Sequence, residues 1–129
     1  MKPQTIPAYD AARNDTDRAI CAALRQGLGD GLPGAKARLW HAHPVWFLND
    51  NPIAGYGKLK HCIRLMFWSG QTFNASGLKP TGTFKAAEAR FTDPGQIDHA
   101  ALAAWCAEAR VVQWDYKNIV KHKGRLDRL

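Results

Sequence analysis

The apolar positions of this 129-residue chain change their period along its length. Ile20, Leu24 and Leu28 recur every four residues with Ala23 beside them, which predicts a helix over 14–28. Asn14, Asp15 or Thr16 offers the N-cap oxygen, and Gly27, Gly29, Gly31 and Pro33 read as its stop. Residues 40–48 are rich in aromatics and give way to the turn chemistry of Asp50, Asn51 and Pro52, the pattern of a strand. A second strand over 53–60 is weakened by Gly55 and Gly57, and a third over 61–68 is the most apolar run of the chain. Residues 71–83 are polar and read as a long loop, with one further strand over 86–92.

The last stripe is the longest. Leu102, Trp105, Cys106, Ala109, Val112, Tyr116, Ile119 and Val120 keep three- and four-residue spacing, which predicts a helix over 98–121. At 1.5 Å per residue it would be about 36 Å long, capped by Asp98 and stopped by Gly124. Pro3 and Pro7 make 1–12 an extended lead-in, and 122–129 is a basic tail. The expected fold is α+β: a small antiparallel sheet of three to five strands, with the N-terminal and long C-terminal helices packed on one face. The length suits one domain, 1–129.

Composition narrows the class. Cys21, Cys62 and Cys106 are odd in number and widely spaced, with no C-x-x-C, so they read as reduced thiols in a cytoplasmic setting. The N-terminus has no apolar signal segment, and no run of about 18 apolar residues suits a bilayer. The net charge of +7 is unevenly placed. Residues 33–70 carry Lys36, Arg38, Lys58, Lys60 and Arg64 against Asp50, and residues 111–129 carry five bases against Asp115 and Asp127. An anionic partner fits that asymmetry.

Three chemistries compete for residues 40–50, WHAHPVWFLND. Taken as one strand, it places Trp40, Ala42, Pro44, Trp46 and Leu48 on one side and His41, His43, Val45 and Phe47 on the other. His41 and His43 then share a face, and His61 from a paired strand completes a candidate metal set that would suit Zn²⁺. A flat small ligand is the second option. Trp40, Trp46, Tyr56, Trp105 and Trp114 would wall a space between sheet and long helix, giving Trp40, His41, His43, Trp46, His61 and Arg64 as candidate contacts. A fully packed interior is the competing reading and the favoured one, since alternating aromatics such as Trp46 and Phe67 are usually core. The third option is nucleic acid, because aromatics interleave with cations over 36–68. Its candidates are Lys58, Lys60, Lys117, Lys121, Lys123 and Arg125.

Catalysis finds no footing. No nucleophile elbow, phosphate loop or zinc-protease motif occurs, and GLGDGLPG follows a helix rather than a strand. His61 and Cys62, as strand neighbours, point to opposite faces. No cofactor is required by the sequence, and a transition metal is the one candidate.

Trp40, Pro44 and Trp46, followed by Lys60, His61, Leu65, Phe67, Trp68 and Gly70, carry a resemblance. With Glu88–Phe91 and the helix beginning IDHAAL, they resemble the YdhG-like family, a domain family of unknown function, over roughly residues 24–110. The position after Trp40 is often glycine in that family and is His41 here. The resemblance implies a helix–sheet–helix fold similar to frataxin and a link to intracellular iron handling, while similar domains of the YjbR type are associated with DNA. The residues themselves offer iron little, since Asp15 and Asp17 stand alone between Arg13 and Arg18. The expected function is therefore non-enzymatic binding of a metal ion or small ligand, with nucleic acid or another acidic partner as the alternative and no membrane.

Overall fold

Residues 2–129 are described by the computed structural model, and ordered structure begins earlier than the two prolines suggest. Instead of an extended lead-in, Ile6–Ala11 form helix α1. Thr5 caps it, its hydroxyl accepting from the amide of Ala8 at 3.2 Å. Pro7 lies in the first turn, where a missing N–H leaves nothing unsatisfied. Helix α2, Asp15–Gly31, is capped by Asn14 and places Asp15 and Asp17 at the positive end of its dipole. It runs straight through the glycines expected to stop it. A β-carbon on Gly27 would stand 2.3 Å from Cδ2 of Leu102, and one on Gly31 would stand 2.5 Å from Cβ of Cys106. These glycines let the last helix approach α2 closely, and they outweigh their own poor helix propensity.

The strands are β1 (Lys36–Trp40), β2 (His43–Leu48), β3 (Asn51–Lys58), β4 (Ile63–Phe67), β5 (Lys79–Pro80) and β6 (Ala87–Phe91). They form one six-stranded antiparallel sheet in the order β1-β2-β3-β4-β6-β5, one strand more than the upper expectation. WHAHPVWFLND is not one strand. His41 (φ 50°) and Ala42 (φ 67°) make a two-residue hairpin turn, so Trp40 pairs with His43. Positive φ at both central residues matches the twist of the flanking strands. The polar loop, in turn, contributes the short edge strand β5.

Alternation sends Trp46, Tyr56, Leu65, Phe67 and Phe91 to the helix side, where they meet Ile20, Leu24 and Leu28 of α2. Helix α3, His99–Ala109, adds Leu102, Trp105, Cys106 and Ala109. Of the two readings for Trp46, Tyr56 and Trp105, walls of a ligand space or a packed interior, the structure has the packed interior: all three are core, at 4%, 2% and 5% exposure. Burial of this order stabilises by about 1.5–3 kcal/mol per large side chain, which explains their place there.

The last helix is less than half its expected length. Val111 and Val112 are β-branched and favour helix weakly, but tertiary bonds decide the matter. The amide of Trp114 donates to the Ser69 hydroxyl at 3.1 Å, and its carbonyl accepts from Asn51 at 2.9 Å. Asn51, 1% exposed, also accepts from the Lys117 amide at 3.0 Å, so its side chain is satisfied on both atoms. The basic tail is folded back rather than free: Asp115 N–H donates to the Asp127 carbonyl and Leu129 N–H to that of Gln113. Among the described residues, no helix is long and apolar enough to cross a membrane.

Candidate functional site

Among the described residues, α1, α2 and α3 pack against the side of the sheet that carries Trp46, Tyr56 and Phe67, and the other side is a grid set by strand register. One row runs Trp40, His43, Gly57, Arg64, Arg90. The next runs Arg38, Val45, Gly55, Met66, Glu88, Lys79. Phe47 and Trp68 stand beyond them. This face is aromatic at one end and cationic throughout.

Trp40 is the centre of the aromatic end. Its ring centroid lies 5.6 Å from Phe47, 6.2 Å from Trp68 and 4.4 Å from His41. Arg38 sets its guanidinium 4.4 Å over the Phe47 ring, an attraction between cation and ring quadrupole. Trp40, Trp68, His43 and Arg64 line a cleft of about 90 Å³, together with Gly55, Gly57 and Met66. The glycines admit their neighbours: a β-carbon on Gly57 would lie 2.5 Å from Nδ1 of His43. The imidazole therefore lies against bare main chain.

His43 is held neutral. Burial, then the charges of Arg64, His41 and Arg13, push its pKa below the ordinary histidine value. Its Nδ1 is buried without a hydrogen-bond partner among the described residues, and Tyr9 stands edge-on at 6.3 Å. Arg64 is half-buried and has neither carboxylate nor hydrogen-bond partner among the described residues. Its cross-strand neighbour Arg90 is tied to Glu88, and that bond holds the Glu88 carboxyl below the usual range. Like charges directly opposite on a sheet destabilise it; Glu88, bonded to Arg90 and also held down by the charge of Arg64, offsets part of the Arg64–Arg90 repulsion.

Charge is also segregated across the sheet. Asp10, Asp15, Asp17, Asp30, Asp93, Asp98 and Glu108 all lie on helices or their caps. The strands of the bare face carry only Glu88, already paired.

The sequence candidates scatter over this frame. Trp40, His41, His43 and Arg64 do line one cleft. Trp46 belongs to the opposite face, and His61 is exposed in the β3–β4 turn. His41, His43 and His61 are not brought together. Among the described residues, no three His, Cys, Asp or Glu side chains stand close enough to hold a metal ion. Lys58 turns to the helices and pairs with Asp17 at 2.7 Å. Lys117 donates its Nζ to the Asn49 carbonyl at 3.0 Å, and Arg125 pairs with Asp127 at 3.2 Å. Lys60, Lys121 and Lys123 are exposed. Trp68 and Met66 were missed as site residues; the alternation Arg64-x-Met66-x-Trp68 was their signal.

Comparison with known protein families, curated proteins and solved structures finds no match to this chain.

Proposed function

We propose that the bare face binds single-stranded nucleic acid, one base resting against Trp40 and Trp68 and the backbone phosphates following Arg64, Arg38 and Lys36. The observation that carries this reading is Arg64, a half-buried guanidinium with no salt bridge or hydrogen bond among the described residues, bordering a cleft lined by two tryptophans. A guanidinium left without an anion in the folded protein is pre-organised for a phosphate. Aromatic faces beside it are the usual platform for bases, worth about 1–3 kcal/mol per stacked base.

Size favours an extended ligand over an enclosed one. Pockets that engulf a small molecule hold about 300–1,000 Å³, whereas this cleft holds about 90 Å³. It admits the edge of one ring and leaves the rest of the ligand on the surface. A metal-chaperone role has less support, because its three imidazoles stand apart. Membership of the YdhG-like family and a cytoplasmic setting belong to the same proposal; three unpaired, buried thiols agree with the latter.

Fluorescence anisotropy with labelled oligothymidylate, beside a duplex of equal length, tests the reading. Single strands should bind more tightly, with affinity falling as salt rises. Equal affinity for the duplex, or an unchanged affinity in Trp40→Ala, would sink it.

A further inference from the structure

The free edge of β6 carries a second site. On one strand, residues two apart turn their main-chain N–H and C=O to the same edge. The Ala86 carbonyl accepts from Thr81 N–H at 2.9 Å, Glu88 pairs with Lys79, and Thr92 N–H donates to the Gln96 side chain at 2.8 Å. Arg90 lies between them on that edge, and no strand faces it. Continuing the register would set Gly77 opposite, but the chain leaves first. Asn74 and Ala75 donate their amides to the Glu108 carboxylate at 2.6 and 2.7 Å, and the Trp105 indole N–H donates to the Ser76 carbonyl at 3.0 Å. Gly77, at φ +109°, turns against the Trp105 ring, where a β-carbon would sit 2.9 Å from Cζ2. Helix α3 thus holds β5's lead-in away from β6 and opens a trench of about 960 Å³. Arg90, Phe91, Gln96, Asp98, Ala101 and Trp105 line it.

We infer that this trench takes an extended peptide of a partner protein, which adds to β6 opposite Arg90 as a strand of apolar–acidic–apolar pattern. An unpaired main-chain donor and acceptor side by side on a strand edge match another strand's main chain. The pattern follows from the pleat. Arg90 points to the bare face, so the peptide residue opposite it does too, while the residues before and after point with Ala89 and Phe91 toward Ala101 and Trp105. The central position then extends the Arg64–Arg90 row beside exposed Lys79. The three cations outnumber the one carboxylate of Glu88, which is already bonded to Arg90, so a carboxylate is favoured there and a cation repelled. This inference does not depend on the nucleic-acid reading, which uses the cleft around Trp40.

The test is an NMR titration of the ¹⁵N-labelled full chain with acetyl-Thr-Val-Glu-Val-Thr-amide. Saturable shifts are expected at the Arg90 amide, Gly77 and the Trp105 indole N–H, with slowed hydrogen exchange at Arg90. Methylating the nitrogen of the central glutamate removes the paired donor and should weaken binding about tenfold. A lysine-centred peptide should bind a few-fold more weakly to the native chain, and Arg90→Glu should reverse that preference. Equal binding of the N-methylated peptide, or unchanged exchange at Arg90, overturns the inference. So does protection of Arg90 that grows with protein concentration alone, since a second copy of the chain would then fill the trench. If Arg90→Glu loses its folded spectrum, the N-methylated and parent peptides on the native chain decide the matter alone.

Discussion

The two faces of the sheet draw on the same strands, yet they differ in what covers them and in how they hold charge. On the helix side Ile63, Leu65 and Phe67 of β4 are fully buried. On the other side Arg64 and Met66 of that strand, with Trp68 after it, stay half-buried without a helix above them. The helix face holds its charges in pairs: Asp17 with Lys58 at 2.7 Å, and Asp10 with Tyr56 at 2.8 Å and Arg25 at 3.4 Å. The bare face leaves Arg64 without a salt bridge among the described residues. A tryptophan's role in this fold is set by its parity in the strand: Trp46 is mortar, and Trp40 and Trp68 are available surface.

Neighbouring residues of β4 give the sharpest way to break that contrast. Phe67→Ala should cost about 3–5 kcal/mol of stability in urea unfolding, the range for a fully buried aromatic. Trp68→Ala should cost less than half as much. The ranking inverts for binding: Trp68→Ala should weaken oligothymidylate affinity about tenfold, the loss of one stacked base. Phe67→Ala, assayed where it remains folded, should bind as the native chain does. If the two substitutions move stability equally and binding not at all, the faces are not functionally distinct.

A smaller effect separates the lone cation from the spread ones. Arg64→Gln should reduce the slope of log affinity against log salt by about 0.7, the share of one phosphate on a single strand. Lys121→Gln with Lys123→Gln alters exposed charges on the folded-back segment and should change that slope less per charge removed. A steeper loss from the lysine pair would move the interface from the sheet to the C-terminal segment.

How much of this was legible in the sequence follows from which interactions are local. The 3.6-residue stripe of α2 and the run at Ile63–Phe67 depend on neighbours in the chain, and both were read correctly. The hairpin at His41–Ala42 was hidden, because two-residue turns usually announce themselves with Asn-Gly or Asp-Gly. One missed turn misplaced the residues before it: it put Trp40 on the face of Trp46, and His41 beside His43 as metal ligands, while the faces of 43–48 were read as the structure has them. The C-terminal stripe was misread for the opposite reason. Its spacing favours helix as far as Val120, but Asn51 and Ser69, more than 40 positions away, hold Trp114 and Lys117 in another conformation. Half of the cleft was therefore readable, and its pairing of Trp40 with Trp68 was not.

The smallest effect concerns pH, and it runs in opposite directions for stability and for binding. The groups around His43 are Arg64, His41, Arg13 and Tyr9, with no carboxylate among its perturbing neighbours. Burial first, and those charges after it, hold its folded pKa below the ordinary 6.5. With a depressed folded pKa, the unfolded chain takes up the proton first. The contribution of neutral His43 is present above pH 6.5 and is lost as pH falls through the folded value. A phosphate on Arg64 would favour the imidazolium, so by linkage single-strand affinity should rise over the same acid window in which stability falls. His43→Gln should flatten both trends. The direct measurement is the imidazole titration by NMR with and without oligothymidylate: its midpoint should move up when the strand is bound. A midpoint that stays in place would put the phosphates out of reach of His43, and with it the path along Arg64.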